Sequence, residues 1–366
     1  MQNVSSSNSQ AVIVPKLRFP EFGSSWQMKT LGDILSVKHG KDYKGQSNQI
    51  GKYPVMGTGG IITYIDSFMC DWECVCIGRK GTINKPIYMS EPFWSVDTLF
   101  FTQPQKGENP KFQYYLFETI NWLLHNEASG VPSLSASVIA NIKKAIPTIQ
   151  EQNKIAAFFT VIDTLINKQN NLVESLKLYK RGVLQRLFKA NITEHKENNI
   201  GSLFTVTRGY VLPLSEIRVE PDNEYCYPVY SSQTKNEGLM GYYNQYLYED
   251  AITWTTDGAN AGFVRFRKGK FYCTNVCGVL LNDDGFANEY IAERLNSVTK
   301  RHVSYVGNPK LMNNVMAEIT IEYPSLEEQR KNSLLISQMD KKIQYETSVS
   351  DSLAKLKTAL LQQMFI

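Results

Sequence analysis

Two stretches decide the fold: IPTIQEQNKIAAFFTVIDTLINKQNNLVESLKLYKRGVLQRLF at residues 146–188 and YPSLEEQRKNSLLISQMDKKIQYETSVSDSLAKLKTALLQQMF at residues 323–365. They superpose without a gap, and the match extends back to Gly130 and Gly307. Identical pairs include Pro147/Pro324, Glu151/Glu328, Gln152/Gln329, Asp163/Asp340, Leu176/Leu353, Gln185/Gln362 and Phe188/Phe365. Self-similarity at a fixed period marks a structural repeat. The chain is therefore a duplication, in which each half is a divergent globular part followed by a copy of one segment.

The repeated segment has the periodicity of a long amphipathic helix. A proline and an acidic first turn come before the apolar pattern, as is typical of a helix N-terminus. In the first copy, a heptad assignment fills one core position with Ile155, Ile162, Gln169, Leu176 and Val183, and the other with Phe158, Leu165, Leu172 and Tyr179. In the second copy, the apolar stripe comprises Leu335, Met339, Val349, Leu353, Leu356 and Leu360, widened by Ile336 and Ile343. Each helix of about 38 residues would be ~57 Å long at 1.5 Å per residue.

Apolar stripes of this length need a partner, and the duplicate copy is the nearest one. Gln169 and Glu346 occupy the same core position in the two copies. A polar residue at such a position can set the register of a helix pair. We therefore expect the two helices to pair. The alternative is that each amphipathic helix packs only on its own globular domain.

The globular parts, residues 17–147 and 191–323, have the pattern of strand-rich mixed domains. Runs of β-branched and aromatic residues between glycine turns predict strands. The strand candidates are Glu73–Gly78, Phe93–Thr102, Tyr227–Ser231, Ile252–Thr256 and Cys273–Leu281. Helices are predicted at Pro110–Asn126 and Asn288–Thr299. The fold class is therefore mixed α/β (α+β), with an internal repeat.

Both globular parts open with related sequence. LGDILSVKHG at Leu31–Gly40 matches IGSLFTVTRG at Ile200–Gly209, and the triplet YPV occurs at residues 53–55 and 227–229. Between these anchors the two halves diverge. One scaffold therefore carries two different surfaces.

Charge is unevenly distributed along the chain, whose net charge is only +4. Residues 148–190 hold 7 Lys/Arg against 3 Asp/Glu, whereas residues 191–323 hold 12 against 16. A nucleic-acid binder usually shows a basic footprint. In the second half we expect a localised basic face around Arg265–Lys270.

The polar start of the chain and the lack of a long apolar run predict a cytoplasmic protein without a membrane segment.

The sequence predicts no catalytic residues and no metal site. The Gly57–Gly60 turn lacks the Lys-Ser/Thr of a phosphate-binding loop. The cysteines near residues 70–76 and 273–277 lack paired C-x2-C spacing and flanking histidines, so Cys74 and Cys76 are interpreted as buried small residues. A methyltransferase motif of the Asn/Asp-Pro-Pro-aromatic type is also missing.

Several basic positions are candidates for contact with DNA. Phosphate contacts supply affinity, whereas side chains at base edges supply specificity. The candidates are Lys38, His39, Lys41, Arg79, Lys80, Arg208, Arg265, Arg267, Lys268, Lys270, Lys300, Arg301 and Lys310. Ordinary solvated loops would explain any one of them equally well. Lys310 lies in the repeated G-x-P-x-L segment, where its counterpart is Ser133.

The chain resembles the specificity subunits of type I restriction-modification systems over essentially its whole length. The motifs that carry the resemblance are LRFPEF (Leu17–Phe22), Trp26 with Leu31–Asp33, YPVMGTGGI at residues 53–61, and the duplicated G-x-P-x-L…IP-x-x-x-Q segment. The proline-glutamine-helix segment is the most specific of these.

The resemblance implies two target-recognition domains, residues 1–147 and 191–323, each binding half of a split, asymmetric site in double-stranded DNA. Two spacer helices, residues 148–190 and 324–366, would pair antiparallel with pseudo-twofold symmetry. It also implies two methyltransferase subunits that methylate adenine and two restriction subunits. S-adenosylmethionine, ATP and Mg would be bound by those partners and not by this chain.

Eight helix residues are expected at the interface with partner subunits or between the two helices: Gln152, Phe158, Phe159, Asp163, Gln329, Leu335, Ile336 and Asp340.

Two other functions remain open. The chain could be a coiled-coil adaptor that binds proteins without reading DNA, or a restriction-enzyme fragment that has lost its catalytic half.

Overall fold

The computed structural model describes residues 13–45, 51–189, 196–232 and 235–366. The chain forms two compact units: unit 1 is Met1–Asn170 with Ser348–Ile366, and unit 2 is Asn171–Thr347. Each unit therefore contains one globular part, the first portion of the long helix that follows it, and the last portion of the other long helix. The two long helices begin shortly after the predicted boundaries at 147 and 323.

The described part of unit 1 combines short strands and short helices with portions of the two long helices. Its strands are β1 (Gln27–Thr30), β2 (Leu35–His39), β3 (Tyr53–Gly57), β4 (Gly60–Ile65), β5 (Cys74–Gly78), β6 (Ile87–Met89), β7 (Trp94–Ser95), β8 (Leu99–Pro104) and β9 (Lys143–Ile146). Its helices are α1 (Leu31–Ile34), α2 (Pro110–Glu118), α3 (Ala136–Asn141) and the long α4 (Ile149–Lys189), which continues into unit 2.

These strands of unit 1 group into sheets with the strand orders β2-β8-β5-β6, β4-β3-β7 and β1-β9. The antiparallel pair of β1 and β9 joins the start of the domain to the residues just before α4, with Gln27 opposite Ile146. The main core lies under α2, where Phe112, Tyr115 and Phe117 are fully buried.

Unit 2 repeats this order of elements. Its strands are β10 (Lys196–Asn199), β11 (Thr205–Arg208), β12 (Tyr227–Tyr230), β13 (Leu239–Tyr243), β14 (Tyr248–Thr255), β15 (Val264–Cys273), β16 (Cys277–Leu281) and β17 (Thr320–Tyr323). Its helices are α5 (Ile200–Leu203), α6 (Glu289–Asn296), α7 (Asn313–Glu318) and the long α8 (Leu326–Met364), which continues into unit 1. The larger sheet has the order β11-β16-β14-β15-β12-β13, and β10 pairs with β17.

The two long helices pack side by side in opposite directions within each unit. In unit 1, Leu361 and Phe365 near the end of α8 share a core with Ile155 and Phe159 near the start of α4. In unit 2, Leu187 near the end of α4 packs in the core that holds Ile336 near the start of α8. Both cores also include residues of the globular part. The helices therefore pair with each other, as expected, and also pack on their own domains.

The buried stripe of the helices corrects the heptad assignment. On α4 the buried and half-buried residues of this stripe are Ile155, Phe159, Ile162, Ile166, Gln169, Val173, Leu176, Lys180, Val183 and Leu187. The first predicted set lies on this stripe, but the second is wrong by one position, since Leu165, Leu172 and Tyr179 are exposed. On α8, Leu335 and Leu356 are exposed for the same reason, whereas Ile336 is buried. Apolar residues occupy adjacent helix faces here, so periodicity alone could not choose between them.

The short elements also differ from their predicted bounds. Cys273–Leu281 is the end of β15, a turn and then β16, and Phe93–Thr102 is likewise interrupted between β7 and β8. Each predicted domain helix is shorter, since α2 and α6 are each followed by a turn of 3-10 helix, at Trp122–His125 and Thr299–His302. The breaks fall where the chain must turn to leave the sheet or the helix face.

Candidate nucleic-acid interface

The repeated glutamine ties each long helix to the helix of its own globular part. Gln152 in α4 donates to the carbonyl of Pro147 (3.1 Å) and accepts from the amide N–H of Asn109 (3.1 Å), the N-cap residue of α2. In unit 2, Gln329 donates to Pro324 O (2.9 Å) and accepts from Asn288 Nδ2 (2.9 Å), the N-cap of α6. Both glutamines are buried. Their place is inside a unit and not at the interface predicted for them.

The repeated aspartate is one corner of a three-residue ion cluster in each unit. In unit 1, Lys357 Nζ lies 2.8 Å from both Asp163 Oδ1 and Glu118 Oε2. In unit 2, Lys180 Nζ lies 2.7 Å from Asp340 Oδ1 and 2.5 Å from Glu293 Oε1. Each cluster thus joins α4, α8 and one domain helix. Lys180 and Lys357 are also equivalent in the repeat, and comparing the two copies could have identified them.

Burial and charge act against each other in the cluster of unit 2. Although burial lowers the pKa of Lys180, the carboxylates of Glu293 and Asp340 raise it above its ordinary value overall. Partial burial between the packed helices raises the pKa of Asp340 in spite of the adjacent lysine, although half of the side chain remains exposed. The lysine therefore stays charged and holds two carboxylates on different helices.

The four aromatic and aliphatic residues predicted for the interface divide into two kinds. Phe159 and Ile336 are buried in the cores of their units. Phe158 is half-buried against Phe159 and Phe19, and its repeat equivalent Leu335 is exposed. Of these four residues, Phe158 and Leu335 are the two with surface to offer a partner.

Four segments of unit 1 meet in what we call turn cluster 1: residues 39–41, 79–81, 95–98 and 130–134. The amide of Gly81 donates to Pro132 O, and that of Leu134 donates to Arg79 O, both at 2.9 Å. The amides of Arg79 and Lys41 donate to Thr98 O and Ser95 O, both at 2.8 Å. Turn cluster 1 therefore brings together four of the predicted DNA-binding residues, which are His39, Lys41, Arg79 and Lys80.

Turn cluster 2 is the equivalent place in unit 2 and comprises residues 208–210, 256–258, 273–276 and 307–311. The amide of Gly258 donates to Pro309 O, and that of Leu311 donates to Thr256 O, both at 2.9 Å. The amide of Tyr210 donates to Cys273 O at 3.1 Å. Of the predicted DNA-binding residues, this cluster holds Arg208 and Lys310.

The strand ends that enter the two clusters are also equivalent. His39 ends β2 and Arg208 ends β11, and both side chains are exposed. The following glycines are tightly packed, because a Cβ on Gly40 would lie 1.9 Å from Val96 O and one on Gly209 would lie 2.1 Å from Cys273 O. Lys38 is half-buried on β2, paired opposite Phe101 of β8, and so lies one residue back from turn cluster 1.

The basic run on β15 is only partly the exposed face that the sequence predicts. Arg267 is 8% exposed, donates to Thr253 Oγ1 (3.2 Å) and Glu237 O (2.8 Å), and lies over the ring of Tyr230. Burial lowers the pKa of its guanidinium. Alternation along the strand turns this side chain inward, so it is a packing residue and its DNA-binding assignment is wrong.

The other basic residues of β15 are differently placed. Arg265 forms an ion pair with Glu237 at 3.0 Å. Lys268 and Lys270 are exposed, and Lys270 Nζ lies 4.5 Å from the centre of the Tyr246 ring. Within this run, it is these two lysines that point their charge to solvent.

Lys300 and Arg301 are exposed on the 3-10 turn that leads into turn cluster 2. In the alignment of the two halves their equivalents in unit 1 are Leu123 and Leu124, which are also exposed. Sequence reasoning that looked only for cations missed these leucines and also Asp257, which faces Lys310. An alignment of the two halves through these turns would have indicated all three.

The cysteines of β5 lie in the interior of unit 1. Cys74 and Cys76 are fully buried in β5, as predicted, and all six cysteines are free thiols. Among the described residues, no cluster of three or more His, Cys, Asp or Glu side chains could hold a metal ion. Within those same ranges, no helix has both the length and the apolar character needed to cross a membrane.

Comparison with known proteins places the chain in a defined context. The model of the type I restriction modification DNA specificity domain matches residues 23–175 and again residues 193–355. These two matches coincide with the duplicated halves. They confirm the resemblance carried by the sequence motifs.

Individual relatives agree with the family match. The chain is 32% identical over 186 residues to a Mycoplasma pneumoniae protein named as a type I specificity subunit, covering 50% of this chain and 55% of the relative. It is 30% identical over 185 residues to the specificity subunit of the type I restriction enzyme MpnII of the same organism, covering 50% of each. The chain thus spans about half the length of these curated relatives.

The fold has a solved counterpart. The crystal structure of the S subunit of a type I restriction-modification system from M. genitalium superposes with a TM-score of 0.68 at 19% identity, covering 97% of this chain and 99% of the other. At this level of identity the match shows the fold. The two strand-rich mixed domains, the internal repeat and the long helices are therefore confirmed as a known architecture.

Proposed function

Because the chain belongs to the type I restriction modification DNA specificity family, we propose that it selects the DNA sequence on which a type I restriction-modification complex acts. The observation that carries the proposal is the pair of turn clusters. The two units keep the same backbone contacts there, but they display different side chains on them. A protein that reads two different half-sites with two copies of one domain needs this arrangement.

The recognised site is then bipartite and asymmetric. Each unit supplies one reading surface, and the surfaces differ in charge, with Arg79 and Lys80 in unit 1 and Asp257 with Lys310 in unit 2. Residues that contact phosphates would include the exposed Lys41, Lys268, Lys270, Lys300 and Arg301. Phosphate contacts fix the position on the duplex, and other side chains of the turn clusters read bases.

The long helices offer matched surfaces to two copies of one partner. Tyr179 on α4 and Leu356 on α8 are equivalent in the repeat and are 66% and 51% exposed. Phe158 and Leu335 form a second equivalent pair with free surface. Identical partners require identical docking positions. We assign these positions to two methyltransferase subunits.

The chemistry lies in the partners and not in this chain. Specificity subunits are non-catalytic, so adenine methylation with S-adenosylmethionine belongs to the methyltransferase subunits. Two restriction subunits would add ATP- and Mg-dependent cleavage. This complex would act in the bacterial cytoplasm, where the DNA is.

Methylation mapping tests the proposal. The chain is expressed with its cognate methyltransferase subunit in a host without adenine methylation, and methyladenine is mapped across the genome. We expect a gapped, asymmetric motif that appears only when the chain is present. A genome without any motif that depends on the chain would refute the proposed function.

Exchange of one domain tests the division of labour. Residues 17–147 are replaced by the same region of another specificity subunit, with residues 191–323 exchanged in the matched reciprocal chimaera. Each exchange should alter one half of the motif and leave the other half unchanged. If either chimaera alters both halves, the units do not read DNA independently.

A further inference from the structure

The contact between the turn after the central strand and the G-x-P-x-L loop is the same in both units. In unit 1 the turn follows β5, and its bonds run from Gly81 N–H to Pro132 O and from Leu134 N–H to Arg79 O. In unit 2 the turn follows β14, and its bonds run from Gly258 N–H to Pro309 O and from Leu311 N–H to Thr256 O. All four are 2.9 Å long. Both glycines have positive φ, +89° at Gly81 and +96° at Gly258. The backbone frame is therefore preserved at equivalent positions of the repeat.

The side chains carried by this frame differ in charge at equivalent positions. The residue before the glycine is Lys80 in unit 1 and Asp257 in unit 2, and each forms a β-bridge to the loop residue opposite, Ser133 or Lys310. A lysine–serine pair in one unit thus corresponds to an aspartate–lysine pair in the other. Preserved backbone with inverted polarity indicates a position that serves the same purpose on two different ligands.

The carboxylate of unit 2 is held in place but keeps free acceptor sites. Asn308 Nδ2 donates a hydrogen bond to Asp257 Oδ1, and Lys310 Nζ lies 3.8 Å from Oδ2. The Asp257 side chain is 38% exposed. A carboxylate has about four lone-pair sites, so these contacts orient the Asp257 side chain and leave acceptor sites available for a ligand. In unit 1, Lys80 is exposed and presents donors only.

Base edges in the major groove distinguish these two chemistries. Guanine presents the N7 and O6 acceptors, which accept from lysine or arginine, whereas cytosine presents the N4 amino group, which donates to a carboxylate. We propose that Lys80 and Asp257 are equivalent specificity-determining residues, the first reading guanine in one half-site and the second reading cytosine in the other. This inference rests on the proposed function, since it assigns bases within the site that the chain selects.

The placement of Lys80 and the negative charge of Asp257 distinguish these two residues from ordinary surface charges. Arg79, adjacent to Lys80, donates from Nη1 to Asp97 O at 3.2 Å, so it is engaged with the turn beside it, whereas the Lys80 side chain is exposed. An aspartate would repel phosphate, so a role in backbone contact does not account for Asp257. A reading role accounts for both residues in the same place.

Reciprocal charge reversal tests the assignment. Full-length chains with K80D or D257K are expressed with the methyltransferase subunit, and methyladenine is mapped. K80D should abolish the requirement for guanine at one position of one half-motif, and D257K should abolish a requirement for cytosine in the other half. In competition binding to duplex oligonucleotides, each change should reduce discrimination at that base pair by about fivefold or more.

Matched controls lie at the far ends of neighbouring strands. Lys106 follows β8 and Asp283 follows β16, each exposed and at the strand end opposite to the turn cluster. K106D and D283K reverse the same charges and should leave the motif unchanged. If a reversal variant does not fold by circular dichroism, K80Q or D257N carries the same test with a smaller change.

Two results would overturn the assignment. The first is that K80D leaves the motif unchanged, lowers the affinity equally for all DNA sequences, and reduces the slope of log affinity against log salt concentration by about one. That result would make Lys80 a phosphate contact. The second is an unchanged motif with D257K and D257N, which would make Asp257 a brace for the loop. A wild-type chain that directs no motif is a different failure and refutes the proposed function itself.

Discussion

Replacement of Lys180 by methionine is the sharpest test of how the long helices are held to the domains. The Lys180 side chain is 14% exposed, and its ammonium lies 2.5 Å from Glu293 and 2.7 Å from Asp340. Methionine keeps the length and the apolar stem of lysine but removes the charge. K180M therefore leaves two carboxylates facing each other, on α6 and α8, without a cation between them.

The magnitude follows from burial. Removing one partner of a fully buried ion pair costs about 3–5 kcal/mol, because the remaining charge is uncompensated. The Asp340 side chain is 51% exposed, so water screens its contribution to the cost of losing Lys180. The Glu293 side chain is only 22% exposed, so its contribution is screened less. We therefore expect K180M to lower the free energy of unfolding of unit 2 by about 2–3 kcal/mol.

The control is Lys177, on the preceding turn of the same helix. It pairs with Glu174 at 2.8 Å, but both side chains are exposed, at 51% and 67%. Exposed pairs of this kind contribute about 0.5 kcal/mol or less, so K177M should be nearly silent. Hydrogen exchange followed by mass spectrometry on peptides that contain α6 reports the local free energy of opening, and urea denaturation reports the global value.

The pH dependence supplies an independent check. Burial already raises the pKa of Asp340, and loss of Lys180 removes a charge that lowers it. The folded variant then binds a proton more tightly than the unfolded chain, so its stability increases as pH falls and the gain is complete below 3.8, the ordinary pKa. The defect of K180M should therefore shrink as the pH is lowered from neutral towards that value. Equal exchange rates for K180M and K177M at neutral pH, or a defect that grows on acidification, would refute the cluster as a structural clamp.

Three further outcomes follow from the same contacts. Q329A should destabilise unit 2 by about 2 kcal/mol in urea denaturation, because Asn288 Nδ2 and Pro324 O are left without their buried partner; an unchanged denaturation midpoint would contradict this. R18M should lower stability by about 2–4 kcal/mol, because Glu151 is buried and loses two bonds of 2.7 and 2.8 Å, and K16M is the exposed control. Y179D should leave the melting temperature unchanged and weaken co-purification with the methyltransferase subunit about tenfold or more; full retention of the complex would place docking elsewhere.

Much of the architecture could be predicted because duplication makes the chain its own comparison. The gap-free alignment of its two halves identified both long helices and the paired glutamines and aspartates. The face of the helix could not be predicted, since Leu165 and Leu172 are as apolar as the residues that are buried. What decides the face is the requirement that Gln152 and Lys180 reach the domain helices, and that requirement exists only in three dimensions.

The candidate DNA-binding residues were harder to predict, because a basic side chain on a strand points either outward or inward. Arg267 is predicted as a contact but lies against Tyr230, since alternate residues along β15 return to the same face. Lys80 and Arg79 were predicted from charge alone, and the structure adds that they share a frame with the G-x-P-x-L loop. Asp257 could not be found by a search for cations, although its equivalence with Lys80 is present in the sequence.

The duplication preserves some contacts and lets others diverge, and the division between them separates two tasks. Preserved in both units are the buried glutamine, the lysine–aspartate pair and the backbone bonds of the turn clusters. The side chains at the exposed turns have diverged: Lys80 is equivalent to Asp257, and Leu124 is equivalent to Arg301. If the turns served only stability, selection would have no reason to invert their charge while keeping their backbone. If the turns read DNA as proposed, exchange of a few exposed residues would give a new target sequence and leave the contacts that hold each domain to the helices intact.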